Sequence, residues 1–240
     1  MIALGLETAT DRLSVALGRP GEPVIERNLE GARRHAAALL PMVAEVLREG
    51  GIPLEAVEAL AIADGPGSFT GLRVGAAAVK ALARVLPGLG VWTASSLLVR
   101  AVAVSAPHGA RVLVVTSALR GELYAACYRI DLPRQIETLL APGLATPESL
   151  HGATADLLVA DAPDKLVERL AARLEVPLVR GSAGLPSAAA LLTLVGVSGG
   201  AERIGALDNW EPTYGRPAEA QVKWEATHGQ TLPDPTRQPG

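Results

Sequence analysis

Three short apolar runs open the chain, each closed by polar or turn-forming residues. IALGLE (2–7) and RLSVALG (Arg12–Gly18) flank the turn TATD, and PVIERNL (23–29) follows the Pro20-Gly21 turn. Runs of this length with such boundaries read as strands. Strands so close in sequence are predicted to pair as an antiparallel meander. The next segment, 33–51, changes period: Leu39, Val43, Val46 and Leu47 recur at helical spacing, and Gly50-Gly51 supplies the stop. Pro41 within it predicts that the regular helix starts near that residue or bends there.

Strand and helix then alternate. ALAIA (Ala59–Ala63) reads as a buried strand, GPGSFTG (65–71) as a loop, 71–86 as a helix, 91–93 as a strand and 95–105 as a helix. These complete a first lobe, 1–105. APHGA (106–110) reads as a hinge into a second lobe, 106–216, which again opens on three strands (111–117, 121–130 and 134–141) before helix and strand segments alternate through Leu194. Residues 217–240 are polar and proline-rich and are expected to form a disordered tail. Two lobes with one order of elements, and no residue-level repeat, predict a two-lobed α/β protein.

Composition narrows the functional classes. Of 240 residues, 49% are hydrophobic and 20% charged, as expected of a globular chain. A net charge of −3 argues against a broad nucleic-acid footprint. Aromatics are 3% and Phe69 is the sole Phe, which argues against a base-stacking platform. Cys127 is the single cysteine, so an intramolecular disulfide is impossible, and within YAACY it reads as a core residue. The N-terminus lacks a basic leader and meets Glu7 early, and no apolar run approaches the ~20 residues of a membrane span, so no membrane association and a cytoplasmic location are expected.

The candidate chemistry centres on GPGSFTG. Gly65, Gly67 and Gly71 between a strand and a helix bring backbone N–H groups to a helix N-terminus, where an anion is favoured. Ser68 and Thr70 add hydroxyl donors, with Thr70 placed as the N-cap. Glu7 and Thr8, ending the first strand, are the neighbours expected to face the same cleft. Neither common nucleotide signature is present, because Leu72 follows Gly71 where a P-loop requires lysine, and three residues separate Gly67 from Gly71. Two readings therefore stand: a phosphate site made by Glu7, Thr8, Gly65, Gly67, Ser68 and Thr70, or a tight turn where backbones pass closely. Glu7 likewise either faces the cleft or accepts hydrogen bonds from its own turn.

The helix after the loop is apolar around most of its circumference. Its only charges, Arg73, Lys80 and Arg84, project within about 20° of one direction. Such a helix is expected to be covered on two sides, by its own chain or by a partner shared with the 33–50 helix. The contact residues expected on the second reading are Leu39, Met42, Val43, Val46, Leu72, Val74, Gly75, Ala78 and Leu82. His35, His108, His151 and His228 are scattered without metal-binding spacing, and no nucleophile elbow occurs, so neither a catalytic nor a metal site is predicted.

Together, IALGLETATDRLSVAL, HAAALLPMV and ADGPGSFTGLRVG resemble the TsaB (YeaZ) family, strongly over about residues 1–105 and more weakly through SALRGELYAACY, the Asp161 region and EPTYGRPAEA. The resemblance implies the actin/Hsp70/sugar-kinase fold. It also implies a non-catalytic role beside TsaD, the subunit that transfers a threonylcarbamoyl group to N6 of a tRNA adenosine. A His-x-x-x-His metal pair of TsaD has no counterpart in TASSLLV. The implied partners are a TsaD-like subunit, a TsaE-like ATPase, a second copy when the chain is alone, and tRNA indirectly. No cofactor is implied for the isolated chain, with room left for a nucleotide at the partner interface. The chain departs from the family pattern at Glu7 (commonly Asp), at Ser117 and Leu119 (commonly the Asp and Arg of Asp-Ala-Arg), and at Gly215 within Tyr-Leu-Arg. Two other functions remain open on the residues: an actin-like ATPase or small-molecule kinase, and a peptidase.

Overall fold

The computed structural model describes residues 1–22, 24–31, 34–118, 122–150, 152–214 and 227–229. Pro23, Arg33, Leu119, His151, Gly215 and the expected tail, apart from 227–229, lie outside the described residues. The opening meander forms as predicted: β1 (Ala3–Glu7), β2 (Arg12–Gly18) and β3 (Ile25–Glu30) pair antiparallel in order. β4 (Ala59–Ala63) joins β1 in parallel, and β5 (Gly90–Ala94) joins β4.

Side-chain size alternates across this sheet and decides what covers each face. Leu4 and Leu6 stand in register with Leu60 and Ile62 on one face, whereas Ala3 and Gly5 match Ala59 and Ala61 on the other. The large-residue face is covered by α1 (His35–Gly50) and α2 (Phe69–Val85). α1 runs unbroken through Pro41, correcting the expected start or bend there. A proline inside a helix costs about 3 kcal/mol. Burial of its neighbours Leu39, Met42 and Val43 contributes about 1.5–3 kcal/mol each, so packing carries the helix across. The helix stops at Gly51, whose left-handed φ of 62° lets the N–H groups of Gly51 and Ile52 close on Arg48 O and Leu47 O.

The second sheet contains β6 (Ala110–Ser117), β7 (Leu123–Asp131), β8 (Gln135–Ala145), β9 (Leu157–Asp161) and β10 (Leu178–Val179), in spatial order β10-β9-β6-β7-β8. One face packs on α4 (Asp164–Leu174), with Cys127 in that core. The other face meets α3 (Ser96–Ala103) and α5 (Ala188–Thr193), which fill the space between the sheets. α5 rests on the small-residue face so closely that a Cβ on Gly5 would lie 2.8 Å from Ala188 O. Its first amides are met from below, with Ser14 Oγ accepting from Ala188 N–H and Glu26 Oε1 from Ala189 N–H, each at 2.9 Å. The chain then adds β11 (Glu202–Arg203) antiparallel to β5. Helix and sheet layers thus alternate as α, β, α, β, α, the two-lobed actin/Hsp70/sugar-kinase-like arrangement that was expected.

Candidate functional site

The glycine loop is a packed turn. A Cβ on Gly67 would lie 2.2 Å from Ala9 O, one on Gly71 2.0 Å from Thr8 O, and one on Gly65 2.2 Å from Thr213 O. Each glycine admits a passing backbone where any side chain would collide. Several polar groups of the loop are engaged within the protein: Ser68 N–H donates to Ala9 O at 2.7 Å, and Gly65 O accepts from Ser96 N–H at 2.8 Å and from Ser95 Oγ at 3.2 Å. Ser68 is the N-cap of α2, its Oγ accepting from Gly71 N–H at 3.2 Å. This corrects the assignment to Thr70, which lies exposed in the first turn, because α2 begins at Phe69 rather than Gly71.

Of the six residues expected to make a phosphate site, only Gly67 and Ser68 line the cleft between the lobes, a cavity of about 550 Å³. Glu7, Thr8 and Gly65 are buried and do not line it. Glu7 Oε1 accepts from Ala9 N–H at 2.7 Å, so its own turn holds it. Its Oε2 has no hydrogen-bond partner among the described residues, and burial pushes its carboxyl up to about 7. Asp64, ending β4, is pushed up to about 6 by the same cause.

Sequence reasoning missed the residues that build the cleft walls. Arg100 is 4% exposed, with Nη1 donating to Gly184 O at 2.8 Å and Nη2 to Asp161 Oδ2 at 2.6 Å. Arg12 Nη2 donates to Leu185 O at 3.1 Å and Pro186 O at 2.7 Å. Both arginines tie the 184–186 segment to the first lobe. A lone arginine in the apolar run SSLLVRAVA was the available signal, since buried guanidinium is found where it is paired. Tyr214 also lines the cleft, its ring centroid 4.8 Å from that of Phe69, and Arg73 lies 5.1 Å over the Phe69 ring. Among the described residues no group of three or more His, Cys, Asp or Glu is placed to hold a metal, and no helix is long and apolar enough to cross a membrane.

The nine expected contact residues divide sharply. Leu39, Met42, Val43, Val46, Leu72, Gly75 and Leu82 are buried in the chain's own core and present no side chain to a partner. Gly75 in particular serves the sheet, since a Cβ there would lie 2.5 Å from Thr8 Oγ1 and 2.9 Å from Ile62 Cδ1. Val74 and Ala78 reach the surface, half-buried. The outward face of the helix pair is made by other residues: Leu40 (56% exposed), Ala37 and Ala44 on α1, and Ala77, Ala81 and Val85 (66% exposed) on α2. Lys80 on this side is paired with Glu211 Oε1 at 2.9 Å. The small residues of the Gly75–Ala78 run therefore split between the sheet and the open face.

Comparison with known proteins places this geometry in a family. Residues 29–193 match the family model described as TsaD: tRNA N6-adenosine threonylcarbamoyltransferase. The TsaB biosynthesis protein of Escherichia coli (strain K12) is 39% identical over 135 residues, which is 55% of this chain and 56% of that protein. The chain thus aligns with about half the length of that curated relative. Among solved structures, YeaZ from Pseudomonas aeruginosa is 33% identical with a TM-score of 0.70, covering 81% of this chain and 90% of that one. A second structure from Pseudomonas aeruginosa, an uncharacterized protein with similarity to peptidase YEAZ, is 30% identical with a TM-score of 0.74, covering 90% and 99%. By its loop, its layered fold and these matches, the chain belongs to the TsaB (YeaZ) family.

Proposed function

We propose that this protein is a non-catalytic subunit of tRNA threonylcarbamoyladenosine biosynthesis, which pairs through the open face of α1 and α2 with a TsaD-like catalytic subunit. The observation that carries the reading is that Leu40 on α1 and Ala77, Ala81 and Val85 on α2 stand out of the core, interspersed on α2 with the exposed Arg73 and Arg84. Soluble chains seldom leave such a patch open unless something covers it. The packed glycine loop supports the same reading, because its groups serve the fold. The role is mechanical: the chain holds the competent conformation of its partner by burying the helix pair. Alone it forms a homodimer through the same face; in the complex it admits a TsaE-like ATPase, leaves room for a nucleotide at the shared interface, and reaches tRNA only through its partner. The expected place of action is the cytoplasm. Of the expected lobes, 1–105 and 106–216, the first, to whose sheet α5 and β11 return, carries the pairing surface.

Reconstitution tests this directly. A TsaD-like protein, a TsaE-like protein, threonylcarbamoyl donor and tRNA should modify adenosine only when this chain is added, and the Ala81→Glu chain should fail. Modification that proceeds unchanged without the chain would overturn the proposal.

A further inference from the structure

A second cavity, of about 270 Å³, lies at the other end of the glycine loop, between the ends of β4 and β5 and the strands β7 and β8. Its polar side chains are Asp64, Thr93, Ser95, Tyr128, Thr138, Glu202 and Thr213, and among the described residues no lysine, arginine or histidine lines it. Asp64 is half-buried at the end of β4, while Glu202 stands on the exposed rim, on β11 directly across from Thr93. Burial is what chiefly raises the Asp64 carboxyl, and the charge of Glu202 adds to it.

The cavity also holds polar groups that the fold leaves unmet. Tyr128 is 2% exposed, yet its hydroxyl makes no hydrogen bond within the described residues; Ser95 Oγ lies near it but donates to Gly65 O at 3.2 Å. Thr93 Oγ1 faces the Asp64 carboxyl, whose charged form it favours, and is bonded to no other group among the described residues. Buried hydroxyls without partners are uncommon and call for an explanation, such as a bound group. Leu98, Ala94 and Pro66 complete the wall with apolar surface.

We propose that this cavity binds a small primary ammonium, its charged head between Asp64 and Glu202 and its alkyl chain along Leu98. The wall offers acceptors and negative charge, and an ammonium offers three donors and positive charge. A divalent cation is the poorer match, because among the described residues no group of three or more His, Cys, Asp or Glu is placed to hold one, whereas an ammonium needs only acceptors and one or two negative charges. The volume, just below the ~300 Å³ at which ordinary ligand pockets begin, limits the guest to a small molecule. The site is independent of the helix face assigned above to a partner.

Calorimetric titration of the full chain with 1,4-diaminobutane and with n-butylamine tests the proposal, with 1-butanol and butyrate as uncharged and anionic comparators. Both amines should bind saturably and both comparators should not. Asp64→Asn should weaken amine binding by about tenfold or more, since it removes the inner charge partner. Glu202→Lys alters an exposed residue that the fold tolerates, and should abolish binding by seating its own ammonium in the cavity. Absence of saturable amine binding, equal binding of 1-butanol, or unchanged affinity in Glu202→Lys would each overturn the site. Displacement of the amine by stoichiometric Mg²⁺ would also overturn it, making the cavity a metal site.

Discussion

Arg100 on α3 and Asp161 at the end of β9 join the two lobes through one hydrogen-bonded ion pair, Nη2 to Oδ2, at 2.6 Å. The arginine is 4% exposed, whereas the Asp161 side chain is 54% exposed to the cleft. The pair is therefore partly screened, and its worth lies as much in what it holds as in Coulomb attraction. Arg100→Met keeps most of the side-chain volume but leaves Gly184 O and Asp161 without their donor. It should destabilise the chain by about 2 kcal/mol, the scale of a hydrogen bond to a charged group. Urea unfolding checks this, and an unchanged midpoint with unchanged slope would remove Arg100 as a strut.

The glycine loop makes a prediction that separates a packed turn from an open anion cradle. Gly67→Ala and Gly71→Ala each push a methyl into backbone that cannot retreat, Ala9 O and Thr8 O respectively. Each should cost about 1–3 kcal/mol, the usual scale of overpacking. Gly152→Ala meets nothing within 4 Å and should stay within about 0.5 kcal/mol of the parent. Thermal melts of the three variants provide the comparison. Melting temperatures that fall equally in all three would contradict the packed-turn account.

Two carboxyls, the buried Glu7 and the half-buried Asp64, set a pH dependence of definite sign. Unfolded, Glu7 and Asp64 lose their protons near the ordinary 4.5 and 3.8; folded, they hold them to about 7 and about 6. Between those values the folded state binds more protons than the unfolded one, so stability falls as pH rises. The contribution is fully present below about pH 4 and gone above about pH 7. For Glu7 the loss between pH 5 and 8 is about 3 kcal/mol at 1.36 kcal/mol per pH unit. Glu7→Gln should flatten the profile by roughly that amount. Denaturation midpoints at pH 5 and pH 8 test it; a Glu7→Gln profile as steep as the parent's would show that another group titrates.

Much of the fold was legible because local pattern and tertiary role agree. β2 and β4 begin and end where their apolar runs do, Arg12–Gly18 and Ala59–Ala63, and Gly51 stops α1 as its spacing predicts. The candidate site was less legible. A helix rich in Ala, Val and Leu reveals that it is apolar, but which residues meet the sheet depends on its rotation about its own axis. That rotation is set by close approaches, Gly71 to Thr8 O and Gly75 to Thr8 Oγ1, between residues far apart in the chain. So Leu72 and Leu82 went inward, and Ala77, Ala81 and Val85 became the open face. The return of the chain to the first sheet through α5 and β11 was also hidden, because AAALLT and ER are too short to show a period.

The most direct test of the central claim is light scattering after size-exclusion chromatography, with the chain alone and mixed with a TsaD-like protein. The parent should run as a homodimer alone and as a one-to-one heterodimer in the mixture. Leu40→Glu should be a folded monomer in both, since it places a charge on the exposed face without touching the core. Leu39→Glu, one residue away but 2% exposed, should not fold at all. A Leu40→Glu chain that still pairs as the parent does would contradict the account, because the helix face could not then be the surface that is gripped.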